Sequence, residues 1–203
     1  MARLIFFCGH AGTGKTTLAR RMVSRLHAAT GENCCLLDKD TLYGAFSSRV
    51  MGLLTGDPND RDSPTYLEKL RDLEYAGLLE VAAENLALGV NVLVVGPFSR
   101  EVRAHRLHDG SAFPMPAGTR VRVAWIDLDE QVARERIARR GDPRDAWKLA
   151  HWESYRRRRF TPDPGEYPEL VRFDNTAPGE PEMAALLAAL LADPISARAG
   201  AGS

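Results

Sequence analysis

Leu4-Ile5-Phe6-Phe7-Cys8-Gly9-His10-Ala11-Gly12-Thr13-Gly14-Lys15-Thr16 stands near the start of this 203-residue chain and decides its architecture. Five apolar residues in a row, closed by a glycine, have the character of a strand buried on both faces of a sheet. The eight residues from Gly9 to Thr16 satisfy the pattern G-x-x-x-x-G-K-[ST] in full, and a helix is expected from Lys15 to Ala28, closed by Gly31. A glycine-rich loop between such a strand and helix turns several backbone amides toward one point, where an anion is stabilised by those amides and by the helix N-terminus. In this pattern Lys15 faces the β- and γ-phosphates of a nucleoside triphosphate, and the Thr16 hydroxyl helps hold Mg²⁺.

Working outward from this loop, apolar runs alternate with helical patterns. Strands are expected at Asn33–Leu37, Val90–Val95, Val121–Leu128 and Leu170–Phe173. Helices are expected from Thr41, whose hydroxyl can cap the first turn, and from Ser63-Pro64, with Leu67, Leu70 and Leu73 at helical spacing and Gly89 at the end. A further helix is capped by Asp129 and runs to Arg140, and a last one covers Glu182–Leu191. The expected fold is α/β: a three-layer, P-loop NTPase-type parallel sheet of five strands, with helices on both faces and an arginine-rich lid. Residues 1–192 read as one domain with the lid at about 136–160, and the Ala/Gly/Ser-rich tail from Asp193 is expected to fray. Ligands of such sheets sit beyond the carboxyl ends of the strands, where Gly9, Asp38, Gly96 and Asp129 all fall.

The whole-chain charge is zero, with 27 basic and 27 acidic residues, so no global field gathers nucleic acid or an anionic membrane. Cys8, Cys34 and Cys35 lie in apolar runs and read as buried thiols of a cytoplasmic protein. The apolar stretch at Leu4–Cys8 is too short for a signal peptide or a membrane span.

Two carboxylates, Asp38 and Asp40, follow the second strand one residue apart. Transfer of a phosphoryl group to an alcohol needs the hydroxyl held in line and its proton accepted. Asp40 is assigned the base role, and Asp38 a contact to metal-bound water or to substrate. The competing reading is that either one caps the helix at Thr41. The third strand ends Val94-Val95-Gly96-Pro97, without the carboxylate that hydrolytic ATPases use to hold Mg²⁺ and orient water, and no N-K-x-D element reads guanine. Among triphosphate-binding families these features favour small kinases over motors and switches.

Between Arg134 and Arg159 lie ten basic and four acidic residues. Arg136, Arg139 and Arg140 end one helix, and Gly141-Asp142-Pro143 breaks the chain behind them. A basic, hinged segment suits a lid that offsets phosphate charge and excludes water. The bland alternative is a solvated face of Glu–Arg pairs. The run Arg156–Arg159 is also a candidate for a nucleic-acid backbone, against which the neutral net charge speaks.

The loop Gly9–Thr16, the Asp38-Lys39-Asp40 element, the unacidic third strand and the basic segment occur in an order that resembles one group of P-loop kinases. That group includes chloramphenicol phosphotransferase, zeta toxin and the kinase domain of polynucleotide kinase, with gluconate and adenylylsulfate kinases further off. The resemblance runs to about Thr176. It implies ATP as donor with Mg²⁺, Asp40 or in second place Asp38 as base, and lid arginines Arg136, Arg139 and Arg140 on the triphosphate. It further implies nucleotide contacts from Gly12, Thr13, Gly14, Lys15, Thr16 and Thr17, a metal held by Thr16 and Asp38, and Asn175 beside the adenine. One departure stands out: where the group often has an arginine one turn after the base, this chain has Tyr43, Gly44 and Ala45. The acceptor's identity therefore does not carry over. Tyr43, Phe46, Phe98 and Arg100, with Tyr66, are the candidate contacts to a small hydroxyl-bearing or nucleoside-like acceptor. The alternatives are a kinase of nucleotide or nucleic-acid 5′-hydroxyls, or a regulatory module that binds nucleotide without turnover.

Overall fold

The computed structural model describes residues 2–108 and 113–192. Five strands, β1 (Arg3–Cys8), β2 (Cys34–Asp38), β3 (Asn91–Val95), β4 (Arg120–Asp127) and β5 (Leu170–Asp174), form one parallel sheet in the order β2-β3-β1-β4-β5. The expected fold class is the one observed. Side chains of a strand alternate between faces, and β1 serves two cores at once. Leu4, Phe6 and Cys8 join one core, with Tyr75, Leu78 and Ala82 from a helix packed on that face. Ile5 and Phe7 join the other, with Leu18 and Met22 on one helix and Met183, Leu186 and Leu190 on another.

The helices are α1 (Lys15–Thr30), α2 (Lys39–Thr55), α3 (Pro64–Lys69), α4 (Arg71–Ala87), α5 (Ser99–Arg103), α6 (Glu130–Arg140), α7 (Ala146–Ala150), α8 (Trp152–Arg158) and α9 (Glu180–Leu191). Thus α4 covers one face, and α1 and α9 the other. The expected caps hold at Ser63, which accepts from the Tyr66 amide at 3.3 Å, and at Asp129, which accepts from Val132 at 3.0 Å. Gly31 closes α1 in a left-handed conformation.

Three local expectations are corrected. The helix after β2 starts at Lys39, not Thr41, and its cap is Asp38, which takes the Asp40 and Thr41 amides. An acceptor two or three residues upstream reaches those amides better than a hydroxyl already inside the turn. The helix expected from Pro64 breaks at Leu70 into α3 and α4, and Leu73 faces outward rather than into the core. Cys34 and Cys35 are only partly buried, because β2 is an edge strand; Cys8, central in the sheet, is fully buried. The frayed tail expected from Asp193 lies outside the described residues.

β1 sits between β3 and β4, so the chain departs to opposite sides of it and leaves a crevice at its carboxyl end. The registers Phe7↔Val95, Asp38↔Val95 and Cys8↔Trp125 align the exits of β1, β2, β3 and β4 along one edge.

Candidate active site

At that edge lies a cavity of about 690 Å³, lined by eleven lysines and arginines against five aspartates. In a chain of zero net charge, this concentration makes the cavity the place where an anion is drawn.

The loop after β1 forms its floor. Gly9 has φ 137°, and a Cβ there would stand 2.5 Å from the Ile126 carbonyl of β4. Gly12, at φ 82°, lies against α6, where a Cβ would meet Ala133 O at 2.8 Å and Ile137 Cγ1 at 2.9 Å. Neither position accepts another residue without moving the sheet or the lid helix. Gly14 caps α1 without a side chain, so the first-turn amides of α1 stay available to a ligand. Lys15 Nζ bonds the loop's own His10 carbonyl at 2.6 Å. Burial lowers the Lys15 ammonium to a pKa of about 8, against the opposing pull of Asp40. A polyanion in the loop would reverse that.

Thr16 Oγ1 donates to Asp38 Oδ2 at 2.6 Å, while Asp38 Oδ1 accepts the Asp40 and Thr41 amides at 2.9 and 3.0 Å. The capping reading of Asp38 is realised on Oδ1, while Oδ2 takes the Thr16 hydroxyl. A hydroxyl and a carboxylate oxygen beside a triphosphate cradle fit Mg²⁺, which is commonly held by one or two protein oxygens plus substrate phosphates.

Asp40 points the other way, into the cavity, 3.1 Å from Lys39 Nζ and 4.0 Å from Arg144 Nη1. Desolvation pushes its carboxyl up, but Lys39, Arg144 and Lys15 together outweigh this and hold it below the usual range. Lys39 is itself buried. It reaches through the wall to Glu74 Oε2 at 2.8 Å, and Glu74 also accepts from Tyr66 Oη at 2.7 Å and from Ser47 Oγ. Glu74 is 3% exposed, so α2, α3 and α4 are joined by a buried charge cluster beneath Asp40.

The lid follows α6. Ile137, Trp152 and Tyr155 pack against Ala11 of the loop, and the Ala11 amide donates to Tyr155 Oη at 3.1 Å. Arg136, Arg139 and Arg140 line the cavity. Arg136 donates to the Asn175 and Thr176 carbonyls at 3.2 and 3.3 Å, and Arg140 pairs with Asp145. Asp62, between α2 and α3, receives Arg158 at 3.1 Å and Lys148 at 3.3 Å, linking the lid to the opposite wall. The four arginines of the Arg156–Arg159 run do not act as one strip: Arg156 faces Glu130, Arg158 faces Asp62, and Arg159 turns to the Leu128 carbonyl.

Of the residues expected at the site, Gly12, Gly14, Lys15, Thr16, Thr17, Asp38, Asp40, Arg100 and the three lid arginines line the cavity, as does Tyr66. Thr13 lies buried beneath the loop. Asn175 does not line the cavity, because its amide donates to the Thr13 carbonyl at 2.8 Å and props the loop from behind. Three acceptor contacts are corrected. Phe98 is fully buried, edge-on to Phe6 and Tyr75, and belongs to the core. Phe46 is 62% exposed and lies outside the cavity. Tyr43 packs its ring on Gly77 of α4. Aromatic type alone does not separate packing from binding. Lys39, Glu74, Arg61 and Asp62 escaped the sequence reading; only the charged pair within Asp38-Lys39-Asp40 hinted at Lys39.

A family model described as an AAA domain (AAA_33) matches residues 4–162. The chain belongs to that AAA-domain family. Among solved structures it is similar to a sugar kinase from Janibacter sp. HTCC2649, with 18% identity over 94% of this chain and 95% of that one and a TM-score of 0.59. It is also similar to Kti12 from Chaetomium thermophilum in complex with ADP-AlF3, with 17% identity over 91% of this chain and 95% of that one and a TM-score of 0.59. A third is the APS kinase CysC of Mycobacterium tuberculosis, in complex with AMPPNP and APS, at 17% identity, 94% and 98% coverage and a TM-score of 0.55. These likenesses establish the shared fold. No match was found among curated proteins.

Proposed function

We propose that this chain is a Mg²⁺-dependent phosphotransferase that moves the γ-phosphate of ATP to a hydroxyl of a small molecule, with Asp40 as base. One observation carries the reading: of the two carboxylates after β2, Asp38 is spent on Thr16 and two amides, whereas Asp40 opens into the cavity. The narrower kinship with the chloramphenicol phosphotransferase group rests on the motifs named above. The sugar kinase and APS kinase likenesses support a small-molecule acceptor.

In this reading the loop amides and Lys15 hold the β- and γ-phosphates, and Arg136, Arg139 and Arg140 face them from the lid. Thr16 and Asp38 would hold Mg²⁺, which when bound neutralises charge on the phosphate oxygens. Asp40 accepts a hydrogen bond from the acceptor hydroxyl and sets its oxygen in line with the γ-phosphorus. As the new O–P bond forms, the bond to the β–γ bridging oxygen breaks, the proton passes to Asp40 and ADP leaves. A carboxylate of lowered pKa suits this step: the transition state is loose, so orientation matters more than basicity.

The test is a screen of metabolite pools for compounds that gain label from γ-labelled ATP, with Asp40→Asn in parallel. Loss of a base is expected to cost about 10²–10⁴ in turnover with ATP affinity nearly unchanged. An equal loss of ATP affinity would remove Asp40 from the base role.

A further inference from the structure

Two guanidinium groups from different parts of the chain converge beside Gly44, one helical turn after Asp40 on α2. Arg61, from the segment between α2 and α3, donates through Nη2 to the Gly44 carbonyl at 3.2 Å and to Ser48 Oγ at 2.9 Å. Its Nη1 bonds the carbonyls of Pro58 and Asp60, so its hydrogen bonds among the described residues go to uncharged oxygens. Of the neighbouring acids, Asp60 takes the Asp62 and Ser63 amides and lies close enough to feel the Arg61 charge without a hydrogen bond to it, and Asp62 takes Lys148 and Arg158. Arg144 comes from the lid. Asp142 grips its Nε and Nη2 edge at 3.0 and 2.6 Å, which leaves Nη1 directed at α2. That nitrogen lies 3.2 Å from where a Gly44 Cβ would be and 4.0 Å from Asp40. Both arginines line the cavity.

From this convergence we infer that the acceptor carries its own anionic group, a phosphate, sulfate or carboxylate, bound by Arg61 and Arg144 over the bare backbone of Gly44. The inference rests on the phosphotransferase reading and narrows its substrate class. Residues i and i+4 of a helix lie about 5–6 Å apart on one face. With the reacting hydroxyl at Asp40, the acceptor's hydroxyl and its anionic group are separated by roughly that distance. A side chain at position 44 would fill the space. Because Arg144 belongs to the lid, an acceptor of this kind also draws the lid shut, which excludes water at the moment of transfer.

The experiment is calorimetric titration of the full chain, saturated with Mg·AMPPNP to fill the γ-phosphate position, with inorganic phosphate. One further equivalent of phosphate should bind. Its affinity should fall tenfold or more in Arg61→Gln and in Arg144→Gln, recover in part in Arg144→Lys, and stay unchanged in Arg25→Gln, a remote surface variant. Gly44→Leu, which raises helix propensity, should keep AMPPNP binding and lose phosphate binding. If AMPPNP binds but phosphate does not, or if phosphate binds equally well to both glutamine variants, the inference is overturned while the phosphotransferase reading stands. If AMPPNP itself fails to bind, both fall together.

Discussion

In the proposed reading, the donor side of the cavity is made of backbone, and the acceptor side of buried charge. The donor cradle relies on Gly9 and Gly12, whose positions tolerate no Cβ, on the bare N-terminus of α1, and on Asn175 bracing the loop from behind. Its shape depends on residues adjacent in sequence and on the strands that flank them. The acceptor wall instead depends on Lys39, Glu74, Tyr66 and Ser47, which come from three helices and meet out of water. Backbone geometry is indifferent to pH and to single charge changes, whereas a buried ion pair fails when one partner goes. The two halves should therefore respond to perturbation in different ways.

Glu74→Ala is the sharpest probe of that difference. It leaves the Lys39 ammonium with Asp40 as its one remaining carboxylate among the described residues and the Tyr66 and Ser47 hydroxyls without their shared acceptor, where breaking a buried pair costs up to about 3–5 kcal/mol. Thermal unfolding should move down strongly. At temperatures where the variant is still folded, Mg·ATP should bind while transfer is lost. Replacing both partners, with Lys39→Met and Glu74→Leu, should restore much of the stability and none of the turnover. Equal stability of the single variant and the parent would show that the cluster does not hold the acceptor wall.

Lys15→Ala probes the opposite half. Removing a charged donor aimed at the transferring group costs roughly 10²–10³ in turnover by analogy with other preorganised donors. Because Lys15 rests on its own loop's carbonyl and is desolvated, folding should be unharmed or slightly improved. Circular dichroism and melting separate this outcome from misfolding.

The same contrast explains what the sequence made legible. The cradle could be read from thirteen consecutive residues, because strand, glycines, lysine and helix are fixed by local rules. The sheet followed from apolar runs at regular intervals, and the strand exits then placed Asp38 and Asp40 at its mouth. The acceptor wall could not be read that way. Lys39 and Glu74 are 35 positions apart, and Glu74 looks like any polar residue on an amphipathic helix until α4 is docked on α2. Phe98 was misjudged because a residue after a strand exit is expected in the cleft. Its backbone, at φ 48°, instead turns the ring inward onto Phe6. Arg61 and Asp62 sit in a polar loop whose meaning depends on the lid across from it.

The donor side does carry one pH-sensitive element, and it bounds the comparison. Burial holds Lys15 at about 8, and a triphosphate would favour the ammonium again. Below pH 8 the lysine is charged before and after binding, so affinity for Mg·ATP should be level. Above it, binding must take up a proton, and affinity should fall by up to about tenfold per pH unit. For folding the sign is opposite. The folded pKa lies below the ordinary 10.5, so between about 8 and 10.5 the unfolded chain holds the extra proton and stability rises with pH. Calorimetry from pH 7 to 10 checks the first, and Lys15→Met should flatten the curve. A level profile in the parent would mean the ammonium is not desolvated in the empty loop.

The smallest effect concerns the place where the halves meet. Asp62 receives Arg158 and Lys148 from the basic segment and, with the longer Asp40–Arg144 contact, ties it to the opposite wall. Each pair is partly open to solvent, and such pairs are worth about 0–1 kcal/mol. Asp62→Asn keeps the shape and removes the charge, so the closed lid should lose stability by about that much. ADP release, if it requires the lid to open, should then quicken by up to about fivefold. Trp147, stacked against His151 with Arg158 over its ring, gives a fluorescence signal for the motion in stopped flow. The donor contacts do not touch Asp62, so the intrinsic affinity of the loop for phosphate should not change. An unaltered release rate would show that the lid is held by its own apolar contacts, Ile137, Trp152 and Tyr155 on Ala11, and that closure is governed from the donor side alone.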